Sequence, residues 1–173
     1  MPHKEMQNVP FLSIASFIIS IFTALILFSS YRTQLKYQRL KYISDLYKNY
    51  YYILYELRQK ANDNGLSVEL YYRSYWSQLH REYEAWQNRI VANELYIRWL
   101  KQEKEQYDDV NCKVGGKTYK EAYEEYIEIN FRKVVGDDFI NFMTQLFKNH
   151  NSDTVKKLVV ESHHRKHWIA NFF

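Results

Sequence analysis

The chain has few of the residues that stop helices. Its 173 residues include two prolines, Pro2 and Pro10, and four glycines, and both prolines precede the end of the first apolar run. An almost entirely helical protein is therefore expected. With Cys112 as the single cysteine, an internal disulfide is excluded, which agrees with a reducing compartment. No stretch rich in Pro, Gly or Ser divides residues 32–173 and no repeat is visible, so that length is expected to form one core. The net charge of +4 is mild. No basic and aromatic strip matches a nucleic-acid-binding module, so no specific nucleic acid is expected as a partner.

Against these absences stands one long uncharged run, Val9 to Phe28, followed at once by Arg32, Lys36, Arg39 and Lys41. At about 1.5 Å per residue, roughly 20 residues span a hydrocarbon core of about 30 Å. A cleaved secretory signal has an apolar stretch of about 7–15 residues and small residues before the cut. Here the run is longer and ends on bulky Phe28, so a retained anchor is expected rather than a signal or a buried core helix. The expected organisation is a short extracytoplasmic tail (1–8), a transmembrane helix (9–31) and a cytosolic helical domain (32–173).

Orientation follows from the basic residues, which favour the cytoplasmic side. Residues 31–48 hold Arg32, Lys36, Arg39, Lys41 and Lys48 against Asp45 alone, whereas the tail offers little more than His3 and Lys4. A single-pass protein of the inner (cytoplasmic) membrane is expected, with its N-terminus out and its domain in the cytoplasm. Arg32, Lys36, Arg39 and Lys41 are then placed to contact anionic headgroups, each contributing about 1 kcal/mol. Within the run, Ser13, Ser16, Ser20 and Ala24 recur at spacings of three and four beside Thr23, a small face that lets membrane helices approach. Lone Ser and Thr are also tolerated in such helices by bonding back to their own carbonyls. The expected partners are the lipid bilayer and either a second copy or another membrane protein; no small-molecule substrate is identified.

Beyond the anchor the pattern is helical. Ile43, Leu46, Tyr50, Ile53 and Leu57 form a stripe that continues the first helix to about Ala61, where Asn62-Asp63-Asn64-Gly65 ends it with Gly65 as the left-handed residue. Ser67 is the expected N-cap of a second helix with Leu70, Tyr71, Trp76, Leu79, Tyr83 and Trp86 on its buried side. A third, Glu94 to about Gln106, buries Leu95, Tyr96, Trp99 and Leu100. Asp108 to Lys117 reads as a loop or small turn. Thr118 with Glu121 is a capping-box signature for a fourth helix, Gly136-Asp137-Asp138 precedes a fifth (Phe139 to Phe147), and Asn151-Ser152-Asp153 opens a sixth carrying Val155, Leu158 and Val159. The fold class expected is all-α, one transmembrane helix continuing into a cytosolic bundle of about five to six helices.

Few constellations carry chemistry. Gly115-Gly116-Lys117-Thr118 lacks the first glycine of a phosphate-binding loop, since position 111 is Asn, and it follows no strand. Glu161, His164 and His167 fall on one helix face and form a candidate metal set, opposed by Arg165 and Lys166. The leading expectation for that end is a solvated basic segment touching headgroups or a partner, with no metal bound and the metal set as the alternative. The acids Glu121, Glu124, Glu125 and Glu128 read as a solvated face, and Cys112 has no His nearby in sequence. No cofactor is expected.

Arg73 and His80 lie seven positions apart, about two turns, on one face of the second helix. That spacing resembles the Arg-to-His spacing of HEPN ribonucleases, all-helical domains in which an Arg and a His act on RNA, although Arg73 is followed by Ser74 where that family carries Asn, Asp or His. A second resemblance rests on Tyr75-Trp76-x-x-Leu79-x-x-Glu82-Tyr83-x-x-Trp86 followed by Tyr96-x-x-Trp99-Leu100. This is similar to the aromatic core pattern of small uncharacterised bacterial proteins that join one N-terminal membrane helix to a cytosolic helical domain, a resemblance that implies no catalytic residues. The leading expectation is a non-enzymatic, membrane-anchored binding or regulatory module that self-associates. The alternative is a membrane-tethered HEPN-like ribonuclease, or a phage-defence or prophage accessory effector.

Overall fold

The computed structural model describes residues 8–127, 130–148 and 154–162. It is mostly helical, as the scarcity of Pro and Gly requires, and divides into two compact units, Met1–Tyr42 and Ile43–Phe173.

The first unit consists of the greater part of α1 (Asn8–Tyr51). By length and composition this helix is long and apolar enough to cross a membrane, with a mean hydropathy of 2.1 in its most apolar window and none of that window buried. Phe17, Ile19, Phe22, Ile26 and Phe28 all stand exposed. Ser20 Oγ donates to the Ser16 carbonyl and Thr23 Oγ1 to that of Ile19, each at 2.9 Å, so these hydroxyls spend their hydrogen on the preceding turn.

The second unit begins in the last turns of α1 and continues through a π-helical segment, Tyr52–Leu57, into α2 (Arg58–Asn62). Each π turn holds an extra residue and so rotates the face presented by the next helical turn. Leu46, Ile53 and Ala61 are buried along this stretch, while Ile43, Tyr50 and Leu57 are partly so. The helix ends through Gly65 N–H donating to the Lys60 carbonyl at 2.8 Å, but the left-handed residue is Asn64 (φ 60°) and not Gly65. Asparagine adopts that conformation at little cost, so the glycine is not needed for it.

Helix α3 (Val68–Gln87) starts as expected: Ser67 Oγ accepts from Leu70 N–H at 3.1 Å. Its buried face runs through Tyr71, Tyr72, Tyr75, Trp76, Leu79, Tyr83 and Trp86. Leu70 lies off that arc and is 51% exposed, which corrects its assignment to the buried side; the arc instead takes in the polar Gln78 and Glu82. Around α3 pack the two π segments and α4 (Asn93–Asp108).

The expected loop from Asp108 to Lys117 contains, with Thr118, an antiparallel hairpin of two two-residue strands, β1 (Lys113–Val114) and β2 (Lys117–Thr118), turned by Gly115 (φ 55°) and Gly116 (φ 84°). Two consecutive positive φ values are the geometry of a tight type I′ turn. Gly115 also passes so near Val68 that a Cβ there would meet the Val68 methyl at 2.1 Å. The capping box is formed: Thr118 N–H donates to Glu121 Oε2 at 2.8 Å and Glu121 N–H to Thr118 Oγ1 at 3.2 Å, opening α5 (Tyr119–Ala122) and a second π segment, Tyr123–Ile127. A short α6 (Arg132–Val135) then precedes Gly136, and α7 (Asp137–Lys148) covers the core with Phe139, Ile140, Phe142, Met143, Leu146 and Phe147. The helical residues 154–162 add Val155, Leu158 and Val159.

Rings dominate that core. Trp76, fully buried, has Tyr123 at 4.8 Å, Tyr119 at 5.7 Å and Phe139 and Phe147 at 5.9 Å between centroids. Trp86 stacks on Tyr96 at 4.7 Å and Tyr107 on Phe147 at 3.9 Å. Each such pair adds about 0.5–1.5 kcal/mol beyond the area it buries.

Candidate functional site

Within the second unit three helices leave a cavity of about 290 Å³. The last turns of α1 supply Tyr47, Tyr50 and Tyr51; α3 supplies Glu82; α4 supplies Leu95, Arg98, Trp99, Gln102 and Glu103. Helical spacing explains the set: 47, 50 and 51 share one side of α1, and 95, 98, 99, 102 and 103 recur every three or four residues on α4. Trp99 packs edge-on against Tyr47 with centroids 5.3 Å apart, and its Nε1 donates to the Tyr47 hydroxyl at 2.9 Å. That bond fixes the wall formed by the two rings.

Two carboxylates sit at the floor. Glu103 is 3% exposed and accepts from the Tyr75 hydroxyl at 2.7 Å and from that of Tyr119 at 3.1 Å. Glu82 is 6% exposed; Gln78 Nε2 donates to its Oε1 at 2.9 Å and also to the Leu46 carbonyl at 3.1 Å. Burial without a counter-ion disfavours the ionised form. It pushes Glu82 up to about 8, with the charge of Glu103 adding to the rise and the Gln78 bond opposing it. Burial likewise pushes Glu103 up to about 7, held back by its tyrosine donors. Arg98 is the single cation in the cavity lining and, among the described residues, forms no ion pair with either acid. The arrangement holds no activated nucleophile. What it can do is exchange protons near neutrality and attract positive charge.

The residues singled out from sequence fall elsewhere. Arg73 is bound by Glu69 at 2.8 Å on the outside of α3. His80 lies edge-on to Phe139 at 5.1 Å and bonds the Val135 backbone; burial lowers its pKa, and a Glu84 oxygen at 4.0 Å partly offsets that. A groove lined by His80, Asp137 and Asp138 does not include Arg73. Glu161 is exposed with Lys157 at 3.8 Å, while His164 and His167 lie outside the described residues. Among the described residues no group of three or more His, Cys, Asp or Glu could hold a metal ion. Arg32, Lys36, Arg39 and Lys41 are all exposed on α1, and the Arg32 guanidinium lies 5.7 Å from the Phe28 ring. Ser13, Ser16, Ser20 and Ala24 are exposed along the same helix. Cys112 is half-buried and accepts from the Arg58 guanidinium at 3.2 Å.

Sequence reasoning noted Glu82 only as part of the aromatic pattern and passed over Glu103. The signal was present: Glu82 lies three residues after Leu79, and Glu103 three and four after Leu100 and Trp99, so both acids occupy positions where the helical period demands apolar residues. Comparison of the chain with protein-family models, curated proteins and solved structures finds no match.

Proposed function

We propose that the chain is a single-pass protein of the inner membrane, with its N-terminal tail outside and its helical domain in the cytoplasm as a binding and regulatory module. The observation that carries this reading is the run of large apolar side chains from Ile14 to Phe28, exposed along α1, while the second unit gathers most of its own into one buried core. An apolar face of that size in water is strongly unfavourable at about 25 cal/mol per Å², and lipid removes the penalty. The exposed Arg32, Lys36, Arg39 and Lys41 support the orientation and meet the headgroups. The small face Ser13, Ser16, Ser20 and Ala24 supports pairing with a second copy or another membrane helix.

Two measurements test the reading. Full-length protein should remain in the membrane pellet after alkaline carbonate extraction, and its domain should resist protease added to spheroplasts but be digested in inverted vesicles. Extraction by carbonate would remove the anchor from the proposal, and digestion in spheroplasts would reverse the orientation. Mass-detected size exclusion in detergent, with crosslinking before lysis, checks the association: a defined oligomer or stoichiometric partner is expected, and a clean monomer would count against the small face.

A further inference from the structure

The cavity of the second unit points beyond a general binding role. We propose that it binds a small primary ammonium ion, the charged head held by Glu82 and Glu103 and a short aliphatic stem lying against Leu95 and Trp99. Three observations carry this independently of where α1 resides, since all the residues lie within Ile43–Phe173.

The space comes first. About 290 Å³ approaches the lower end of small-ligand pockets, roughly 300 Å³. The second is the state of Glu82. It is 6% exposed and lines the cavity, accepts from the neutral Gln78 amide at Oε1, and among the described residues has no ion pair. A buried carboxyl with no cation beside it takes up a proton, as the raised value of Glu82 reflects, and an arriving cation can replace that proton. The third is the lining. An ammonium head has three donors and no acceptor, which suits the two carboxylates of the lining. The Trp99 and Tyr47 rings supply the aromatic surface that attracts cations, and Leu95 accepts a methylene stem.

A transition metal does not fit, because the described residues place no third ligand of the usual kinds there. An anion is disfavoured by the two acids, although Arg98 lines the same space from the exposed side of α4. Proton exchange accompanies occupancy. The groups facing the cavity are Glu82 on α3, Glu103 and Arg98 on α4, and the α1 tyrosines, of which the two acids are poised near neutrality. Ammonium binding therefore releases protons and strengthens as pH rises from 6 to about 8.

The test is calorimetric titration of the full-length, detergent-solubilised protein with n-butylammonium chloride, set against 1-butanol and sodium butyrate at constant ionic strength. The expected result is a dissociation constant of about 1 mM or tighter. The alcohol and the carboxylate should bind about tenfold more weakly or not at all, and Glu82→Gln and Glu103→Gln should each lose about tenfold in affinity. Folding of each variant is read by far-UV circular dichroism, and with glutamine filling nearly the same space at least one variant is expected to remain native. Equal binding of butanol and butylammonium, preferential binding of butyrate, absence of binding by the wild type, or full affinity in the folded glutamine variants would each overturn the proposal. None of these outcomes bears on membrane residence, so the two readings fail separately.

Discussion

The two units use apolar residues for opposite ends. Within the apolar run of Met1–Tyr42 the large side chains are aliphatic or Phe, carry no polar tip and are left exposed, Phe17 at 66% and Phe22 at 61%, and tyrosines enter only after it, at Tyr31, Tyr37 and Tyr42. In Ile43–Phe173 the core is built from rings with polar tips, Tyr75, Tyr96, Trp76 and Trp86, every one essentially sealed from solvent. The difference is the one that the proposed membrane anchor would require. A helix in hydrocarbon needs only to be apolar and to satisfy its own backbone, whereas a water-soluble core must exclude water through specific packing. Tyr and Trp tips inside a core call for partners, and the domain provides several, in the Tyr75 and Tyr119 bonds to Glu103 and the Trp86 bond to Asn93, while the buried Trp76 Nε1 has none among the described residues.

The comparison breaks most sharply at the anchor. Replacing Ile18 and Phe22 together by Arg places two charges near the middle of the apolar run, each costing about 2.5–3.5 kcal/mol at a bilayer centre. The protein should leave the carbonate-resistant pellet, while the circular dichroism of the domain keeps its thermal transition. A matching break on the other side is Trp86→Ala. Trp86 is fully buried, stacks on Tyr96 and donates from Nε1 to Asn93 Oδ1 at 2.8 Å, tying α3 to the start of α4, whose Ala92 cap position offers no side-chain bond. Loss of about 3–5 kcal/mol in urea unfolding is expected, with membrane retention unchanged.

What could be read beforehand was what is local. Ser67 and the pair Thr118 and Glu121 signal their caps within four residues, and both caps are formed. Aromatic spacing located the α3 and α4 core. Leu70 was misplaced because a helical stripe leaves its own edges undefined: one step of 100° separates it from buried Tyr71. The π segments Tyr52–Leu57 and Tyr123–Ile127 had no local signal, since the extra residue in the turn answers to packing against α3. The cavity was invisible for a similar reason. It is an unfilled space between α1, α3 and α4, and counting apolar positions passes over the two acids at its floor.

Those acids sharpen the comparison through pH. Their ordinary value is 4.5, and the fold raises it to about 8 for Glu82 and about 7 for Glu103. Between those values the folded protein binds more protons than the unfolded chain, so this contribution to stability is full below 4.5 and is lost as pH rises to about 8. Glu82→Gln removes its share. The variant should match the wild type near pH 5 and exceed it by on the order of 2 kcal/mol at pH 9 in urea unfolding, with a shallower slope between. The run from Val9 to Phe28, the proposed anchor, holds no titratable group, so membrane retention should not follow that slope.

Hydroxyl residues give the finest version of the contrast. In α1, Ser20 and Thr23 bond back to carbonyls four residues earlier, groups that already accept from the helix, so the hydroxyl's partner is one the backbone could do without. In the domain, Thr118 satisfies the otherwise unpaired N–H of Glu121, and Glu121 returns a bond to the Thr118 N–H. Helix α5 is four residues long and leads directly into a π segment, leaving few further turns to compensate. Thr118→Ala should therefore cost about 1 kcal/mol, within the usual 0.5–2 for a lost cap. Ser20→Ala should leave the domain's unfolding midpoint unchanged and carbonate resistance intact. Equal loss of domain stability in the two variants would mean that the border near Tyr42 does not separate two independently stabilised units.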